Sequence, residues 1–273
     1  MTVQNFDPRA YWDRRLDRHW SLHGVGVVTL SHSYNRWLYR VRDRVLRRVV
    51  ADLPVDLRGG RVLDIGPGVG FYVERWKQRG AKVTAVDIAD SAVRRLRARH
   101  PDVRVERLDV SDDVSFLGTG YDVVSAFDVF FHIVDDERYR AAMRNVASML
   151  RPGGYFVISD TFSKVRTGNG RHYVRRSSAE IEDAILAAGM EITRRRPGFV
   201  LMTYPYDASP RARRVWSRLI GETATSEMVG NLLGAALYLL EIALTRILRD
   251  GPCTEVVICR RPVDREQDER PAP

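Results

Sequence analysis

Between residues 61 and 160, short apolar runs alternate with helical patterns, and no other feature of the chain constrains its fold as tightly. RVLDI (61–65), KVTAVDI (82–88), VRVERLDV (103–110), YDVVSAF (121–127) and YFVISD (155–160) read as strands, with helical segments near 70–79, 91–99 and 136–150. LRPGG (150–154) stops the last of these helices with proline and glycine. Strands separated by helices at this spacing predict a parallel sheet covered on both faces. A helix over 178–188 follows, then extended stretches at 191–203 and 253–261. A chain of 273 residues, 44% of them hydrophobic, can bury one large core and still carry additions.

Two regions stand outside the alternation. Residues 7–50 hold two aromatic-rich helical patterns joined by SLHGVGVVTL, and 207–250 hold a second helical pair between the last two strands. The expected division is an N-terminal helical cap (1–52), a core (53–206), a helical insertion (207–250), a final core strand (251–262) and a charged, disordered tail (263–273). The longest apolar stretch, Met228 to Leu248, is interrupted by Asn231, Glu241, Thr245 and Arg246, which predicts a packed helix and no transmembrane span. It is apolar around much of its circumference, so it needs a cover: its own domain, a second subunit or a lipid-bearing acceptor. A homodimer is the favoured cover.

The first residues show no basic segment followed by an apolar one, so no signal peptide is expected and the cytoplasm is the expected location. The net charge of +9 invites a nucleic-acid reading, but lysine occurs only at 77, 82 and 164 and the arginines are scattered. Without a basic stripe or a recognisable module, nucleic acid is not an expected partner. Cys253 and Cys259, six apart in an extended segment, should share one face of a strand, too far apart to bond.

The stretch RVLDIGPGVGFY (61–72) places Gly66, Gly68 and Gly70 where the first strand gives way to a helix. Glycines there permit positive φ and let a ligand approach the backbone closely. In an open α/β sheet, ligands bind beyond the carboxyl ends of the strands. The second strand ends in Asp87, the third in Asp109, and the fourth runs into Asp128 and His132. Three carboxylates at neighbouring strand ends describe a nucleoside site. The dinucleotide pattern G-x-G-x-x-G fits poorly, because the third glycine arrives one residue early. The negative charge of Asp64 also suits a cationic ligand better than a pyrophosphate. An NAD(P)-dependent oxidoreductase is the alternative from a different class.

With LDIGPGVG, the VDI and LDV strand ends and LRPGG all in order, the segment from about 61 to 160 resembles the class I S-adenosylmethionine-dependent methyltransferases. The resemblance implies a Rossmann-like, doubly wound α/β sheet of seven strands with the last reversed, residues 191–203 and 253–261 supplying the closing hairpin. It implies S-adenosyl-L-methionine as cofactor, with Gly66, Gly68 and Gly70 beside the methionine portion. Asp64 would orient the loop or, through water, the amino group. Asp87 would take the ribose hydroxyls and Ile88 would pack on adenine. Asp109 and Val110 would meet the adenine edge, and Phe127 would begin the segment beneath the sulfonium.

On the acceptor side, methyl transfer to oxygen requires loss of a proton, and a histidine titrating near 6.5 suits that task. His132, just past the fourth strand, is the expected catalytic base. His172 and Tyr173, in a loop with Gly168 and Gly170, are expected to position the acceptor, and Asp160 could face the same space. Asp136 and Glu137 read as solvated first-turn residues favoured by the helix dipole. Asp128, Asp160 or the 135–137 cluster could supply oxygens to a magnesium ion. His19 and His23 have i, i+4 spacing but no third ligand. Tyr34 and Trp37 remain as ring contacts, whereas Tyr11, Trp12 and Tyr39 read as helix packing. The LRPGG-to-RHYVRRS stretch and FVLMTYP look like those of small-molecule enzymes of natural-product and polysaccharide pathways, and no Asn-Pro-Pro-Tyr or Asp-Pro-Pro-Tyr follows the fourth strand. The expected reaction is O-methylation of a hydroxyl on a saccharide, oligosaccharide or related small-molecule acceptor. N-methylation of a small metabolite is the alternative.

Overall fold

Adjacent residues of the central strands face opposite sides of one sheet, and both sides are apolar. Val62, Val123 and Val157 enter one core while their neighbours Leu63, Val124 and Ile158 enter another. That two-faced burial is why these runs are continuously hydrophobic instead of alternating. The computed structural model describes residues 6–168 and 172–263. The strands are β1 (Arg61–Ile65), β2 (Lys82–Asp87), β3 (Arg104–Arg107), β4 (Tyr121–Phe127) and β5 (Leu150–Asp160), then the two-stranded hairpin β6 (Thr167–Gly168) and β7 (Val174–Arg175), then β8 (Glu191–Pro197) and β9 (Glu255–Arg260). The main sheet has seven strands in the order β3-β2-β1-β4-β5-β9-β8. Only β9 runs against its neighbours. The doubly wound sheet with one reversed strand is the fold expected from the sequence. Strand order reverses between β1 and β4, so a crevice opens at their carboxyl ends.

Helices α2 (His32–Asp52) and α3 (Phe71–Lys77) cover one face, and α5 (Asp136–Met149) and α6 (Ser178–Ala187) the other. Helix α1 (Pro8–Arg18) begins at Asp7, whose carboxylate accepts the N–H groups of Arg9 and Ala10. It docks on α4 (Asp90–Arg99): Asp13 accepts the backbone N–H of Ser91 at 2.6 Å, which holds its carboxyl below the usual range. Arg15 ties the following loop back to α1 by donating to the carbonyls of Gly24 and Gly26.

Between β8 and β9 lie α7 (Pro210–Trp216), a π turn over Ser217–Gly221, and α8 (Glu227–Ile247). Helix α8 runs alongside α2. Its inward residues are Gly230, Gly234, Glu241 and Thr245. A Cβ at Gly234 would overlap the Trp37 ring, so glycine sets the close approach of the two helices. Buried Glu241 accepts the backbone N–H groups of Val200, Leu201 and Met202 at 2.6, 2.9 and 3.2 Å. The helix thus packs through its glycines, its buried polar residues and the half-buried Leu233, Leu237 and Ile242, and turns Leu232, Leu239, Leu240 and Ile247 outward.

Several expectations change. Cys253 precedes β9 and sits in one core while Cys259 sits in the other, so they do not share a strand face. Helix α1 ends before His19, and His23 lies in the next loop, stacked on His32, so the two do not present one helix face. Gly170 and residues 264–273 of the expected tail lie outside the described residues.

Candidate active site

Four strand ends and the N-terminal cap converge on a single cleft. The turn after β1 carries positive φ at Gly66 (66°) and Gly68 (53°). Val129 crowds Gly66, and a Cβ at Gly68 would come within 2.8 Å of Val25, so side chains at either position would close the floor of the cleft. Gly70 is not in the lining. It caps α3 in the left-handed region with no side-chain partner.

Beneath the turn, Asp64 is 1% exposed. One carboxylate oxygen accepts Ser125 Oγ at 2.7 Å, and Ser125 in turn accepts Trp76 Nε1 at 3.1 Å. The other oxygen has no hydrogen-bond partner among the described residues. Burial pushes this carboxyl up to about 7. A buried anionic oxygen left uncompensated stabilises a nearby cation. Asp64 itself does not line the cleft, so it can act on a ligand only through the turn above it.

At the end of β2, Asp87 does line the cleft, with Ile88 beside it. Its two oxygens accept the N–H groups of Gly68 (3.1 Å) and Ala89 (2.9 Å). A carboxylate offers about four lone-pair sites, so roughly two remain for hydroxyl donors. After β3 come Leu108, Asp109 and Val110. Asp109 is held by the N–H and Oγ of Ser111 and by Arg138 at 2.9 Å, which keep its carboxyl below the usual range despite burial. At the end of β4, Phe127 stacks on Tyr72 with ring centres 3.9 Å apart. Asp128 then adopts φ 58°, rare for a residue other than glycine. It is pinned there by Ser159 Oγ, which accepts its N–H at 2.8 Å and donates to its carboxylate at 2.9 Å, and by an ion pair with Arg42.

His132 sits in a short 3-10 turn after β4 and lines the same cleft. Its Nδ1 lies 2.6 Å from the carbonyl oxygen of His172. A carbonyl can only accept, so Nδ1 carries the proton and Nε2 is the nitrogen with a free lone pair. Burial lowers its pKa to about 4, leaving the ring neutral at physiological pH. The edge of Trp12 packs on it at 4.8 Å. The turn is clamped from below by buried Arg176, which donates to the carbonyl of Ile133 at 3.0 Å and pairs with Asp136 at 2.6 Å.

His172 and Tyr173 are outside the lining. The His172 ring stacks on Tyr11, 5.5 Å away, and Tyr173 packs against His172 and Arg175. His172 therefore reaches the cleft only through its backbone carbonyl. Tyr34 and Trp37 are packing residues: Tyr34 is buried and donates to Met202 O, and Trp37 packs on Tyr238 and donates to Asn231. The cap's aromatic rings that do line the cleft are Trp12 and Tyr39, both of which had read as packing. Periodicity in α2 does not separate them, since Arg42 lies within one turn of both Leu38 and Tyr39.

Among the described residues no group of three or more His, Cys, Asp or Glu side chains is placed to hold a metal ion. Of the oxygens considered for magnesium, Asp128 is committed to Arg42 and Ser159, and Asp136 to Arg166 and Arg176. Asp135 caps α5, accepting the N–H of Arg138. Asp160 accepts the N–H of Thr161, and burial raises its pKa to about 7.

The sheet order, the glycine turn and the carboxylates at the strand ends define a nucleoside-binding α/β fold with one reversed strand. Residues 34–196, more than half of the chain, match the family described as a methyltransferase domain, and the chain belongs to that family. It is a class I S-adenosylmethionine-dependent methyltransferase, and the oxidoreductase alternative falls. Among curated proteins it is similar to a ubiquinone biosynthesis O-methyltransferase of Xanthomonas oryzae pv. oryzae, 36% identical over 109 residues, 38% of this chain and 44% of the relative. A protein of the same description from Bordetella avium is 31% identical over 114 residues, 40% of this chain and 46% of the relative. The chain thus spans less than half the length of these relatives. Among solved structures, the magnesium protoporphyrin IX methyltransferase of Synechocystis PCC 6803 with bound S-adenosylmethionine shares the fold, with a TM-score of 0.57 and 17% identity. That likeness covers 95% of this chain and 100% of the other.

The site fits the cofactor. Through the turn above it, buried Asp64 favours a cationic amino acid moiety, and the remaining lone pairs of Asp87 match a ribose diol. Ile88, Leu108 and Val110 offer apolar contacts for a base.

Proposed function

We propose that this chain transfers a methyl group to a hydroxyl oxygen on a ring-bearing small molecule, with His132 as proton acceptor. The observation that carries the reading is the Nδ1 contact of His132 to the His172 carbonyl, which leaves Nε2 as the basic nitrogen of a cleft-lining imidazole. An amine acceptor needs no such base once it arrives unprotonated, so a histidine held in one tautomer favours oxygen over nitrogen. The O-methyltransferase description of the curated relatives points the same way, although the matched segments are partial.

S-adenosylmethionine supplies an electrophilic methyl carbon when bound. Gly66 and Gly68 would pass beside its methionine portion, Asp87 would take its ribose hydroxyls, and Ile88, Asp109 and Val110 would flank its base. Phe127 would begin the wall nearest the sulfonium, and Asp64 would offset positive charge through the turn. The chain's own contribution to rate is alignment of the acceptor oxygen with the methyl carbon and removal of its proton. His132 takes that proton at Nε2, and the His172 carbonyl stabilises the imidazolium that forms by accepting from Nδ1.

Trp12, Leu16, Val25, Tyr39 and Tyr72 wall the cleft with flat or apolar surface. Such walls suit a ring, either a phenol or the apolar face of a saccharide. The test is an acceptor screen with labelled methyl donor that includes phenols, saccharides and amines. Ring hydroxyls among the hits support the reading. Turnover of amines alone overturns it.

A further inference from the structure

The outward face of α8 is built the opposite way from a surface helix. Leu232 is 63% exposed, Leu239 76% and Ile247 75%, and Met228 and Leu240 are exposed as well. Ala235, Ala236 and Ala243 fill the space between them, so the stripe runs the length of the helix. By length and composition the helix could cross a membrane. Its inward face forbids that in this fold, because Glu241 is buried on three backbone N–H groups and Glu227 accepts the N–H groups of His32 and Ser33 at the start of α2. Helix α8 is therefore fixed lengthwise on the protein, with an apolar stripe of a kind soluble surfaces rarely leave open.

What flanks the stripe is positive. Helix α2 runs parallel to α8, matched by the contacts Glu227–Ser33, Asn231–Trp37, Tyr238–Arg44 and Thr245–Arg48. On α2, Arg36, Arg40, Arg44 and Arg47 recur at one-turn spacing and line a groove beside Tyr238. Asp43 pairs with Arg47 and Arg75. Among the described residues no carboxylate pairs with Arg36, Arg40 or Arg44: Arg36 donates to Ser33 Oγ, Arg40 lies over the Trp37 ring and Arg44 donates to Tyr238. Arg246 and Arg249 add charge at the end of α8, beside Asp250, while the exposed acids at its start are Glu222 and Glu227, the latter held by the N–H groups of His32 and Ser33.

The geometry points to docking of this face on an anionic bilayer surface, with the apolar stripe of α8 lying in the plane of the interface and the arginines of α2 on lipid phosphates. An in-plane helix with an apolar face and a basic flank is the physical pattern for interfacial binding. A second copy of the chain suits the stripe less well, since a self-complementary contact brings basic flanks together without acids to match them. The inference does not depend on which acceptor is methylated.

The experiment is flotation of the purified chain with vesicles of phosphatidylglycerol and phosphatidylcholine, against vesicles of phosphatidylcholine alone, with light scattering alongside. Partition should favour the anionic vesicles and weaken as salt rises. Leu239→Glu should abolish partition, and each of Arg40→Gln and Arg44→Gln should weaken it about fivefold. All three positions lie on the outer surface, and an unchanged affinity for S-adenosylmethionine shows that the variants are folded. Equal recovery with both vesicle types, or partition indifferent to Leu239→Glu, overturns the inference. So does a dimer that Leu239→Glu dissolves while the wild type ignores vesicles, since the stripe then belongs to a second copy.

Discussion

Asp87 accepts the backbone N–H of Gly68 at 3.1 Å, so the end of β2 holds the turn that follows β1. One carboxylate thereby shapes the glycine turn and keeps lone pairs free for hydroxyls. Replacing it with alanine removes both effects, and Asp87→Ala should weaken S-adenosylmethionine binding by about 1.5–3 kcal/mol in calorimetry, the range for hydrogen bonds to a charged group. Burial raises the Asp87 pKa to about 6, and protonation removes acceptor capacity. Cofactor affinity should therefore fall as pH drops from 7 to 5. An Asp87→Ala protein that binds the cofactor as tightly as wild type would remove Asp87 from the site.

Asp64 gives a stability test with a definite sign. Its folded pKa of about 7 lies above the ordinary carboxylate value near 3.9, so between those two pH values the folded chain holds a proton that the unfolded chain has lost. Stability from this group is fully present below about pH 4 and is lost as pH rises to 7, by up to about 1.4 kcal/mol per unit. An amide in place of the carboxyl could still accept from Ser125 but would not titrate. Without cofactor, Asp64→Asn should gain on wild type as pH climbs from 5 to 7, and the gap should level off above that. Parallel melting curves for the two proteins across this range would show that Asp64 is not the buried acid described here.

The sheet was legible in the sequence because a strand buried on both faces is apolar along most of its length, and Tyr121–Phe127 matches the expected strand residue for residue. The glycine turn was legible for a similar reason: a closely approached backbone tolerates few residues. The cap was not. Whether an aromatic on an amphipathic helix faces a core or a cleft depends on what the opposite side packs against, and Tyr34 and Tyr39 on α2 cannot be sorted by periodicity without knowing where α8 lies. Helix α8 was legible as a packed helix but not for which face packs, because hydrophobicity predicts burial, while here two glycines and a glutamate are fully buried and Leu232, Leu239 and Leu240 are exposed. The two cysteines were misplaced by two residues of strand boundary.

Gly234 should be intolerant of the smallest side chain. In a helix interior, alanine is favoured over glycine by about 1 kcal/mol. Here the added Cβ would overlap the Trp37 ring and approach Trp37 Cβ to 2.9 Å, and the root of a side chain cannot swing away. Overpacking of this kind costs about 1–3 kcal/mol, which outweighs the propensity gain. Thermal denaturation of Gly234→Ala should show a lower melting temperature, with cofactor affinity of the folded protein unchanged because the site is remote. A stabilised Gly234→Ala protein would mean that α2 and α8 are not in the close contact described.

The proposed role of His132 as proton acceptor is open to two measurements that separate a base from a packing residue. As a general base it should contribute about 10²–10⁴ in turnover, so His132→Ala should lose that factor with S-adenosylmethionine affinity nearly unchanged. Packing against Trp12 predicts a different pattern, in which the cap loosens and cofactor binding weakens along with turnover. The pH profile is the second measurement. An exposed histidine gives an acid limb near 6.5, but burial lowers His132 to about 4, so it stays unprotonated through the neutral range. With cofactor and acceptor both saturating, turnover should be level from pH 6 to 8. A limb near 6.5 that disappears in His132→Gln would show that the ring is solvated during catalysis. Full turnover in His132→Ala would remove it as the proton acceptor altogether.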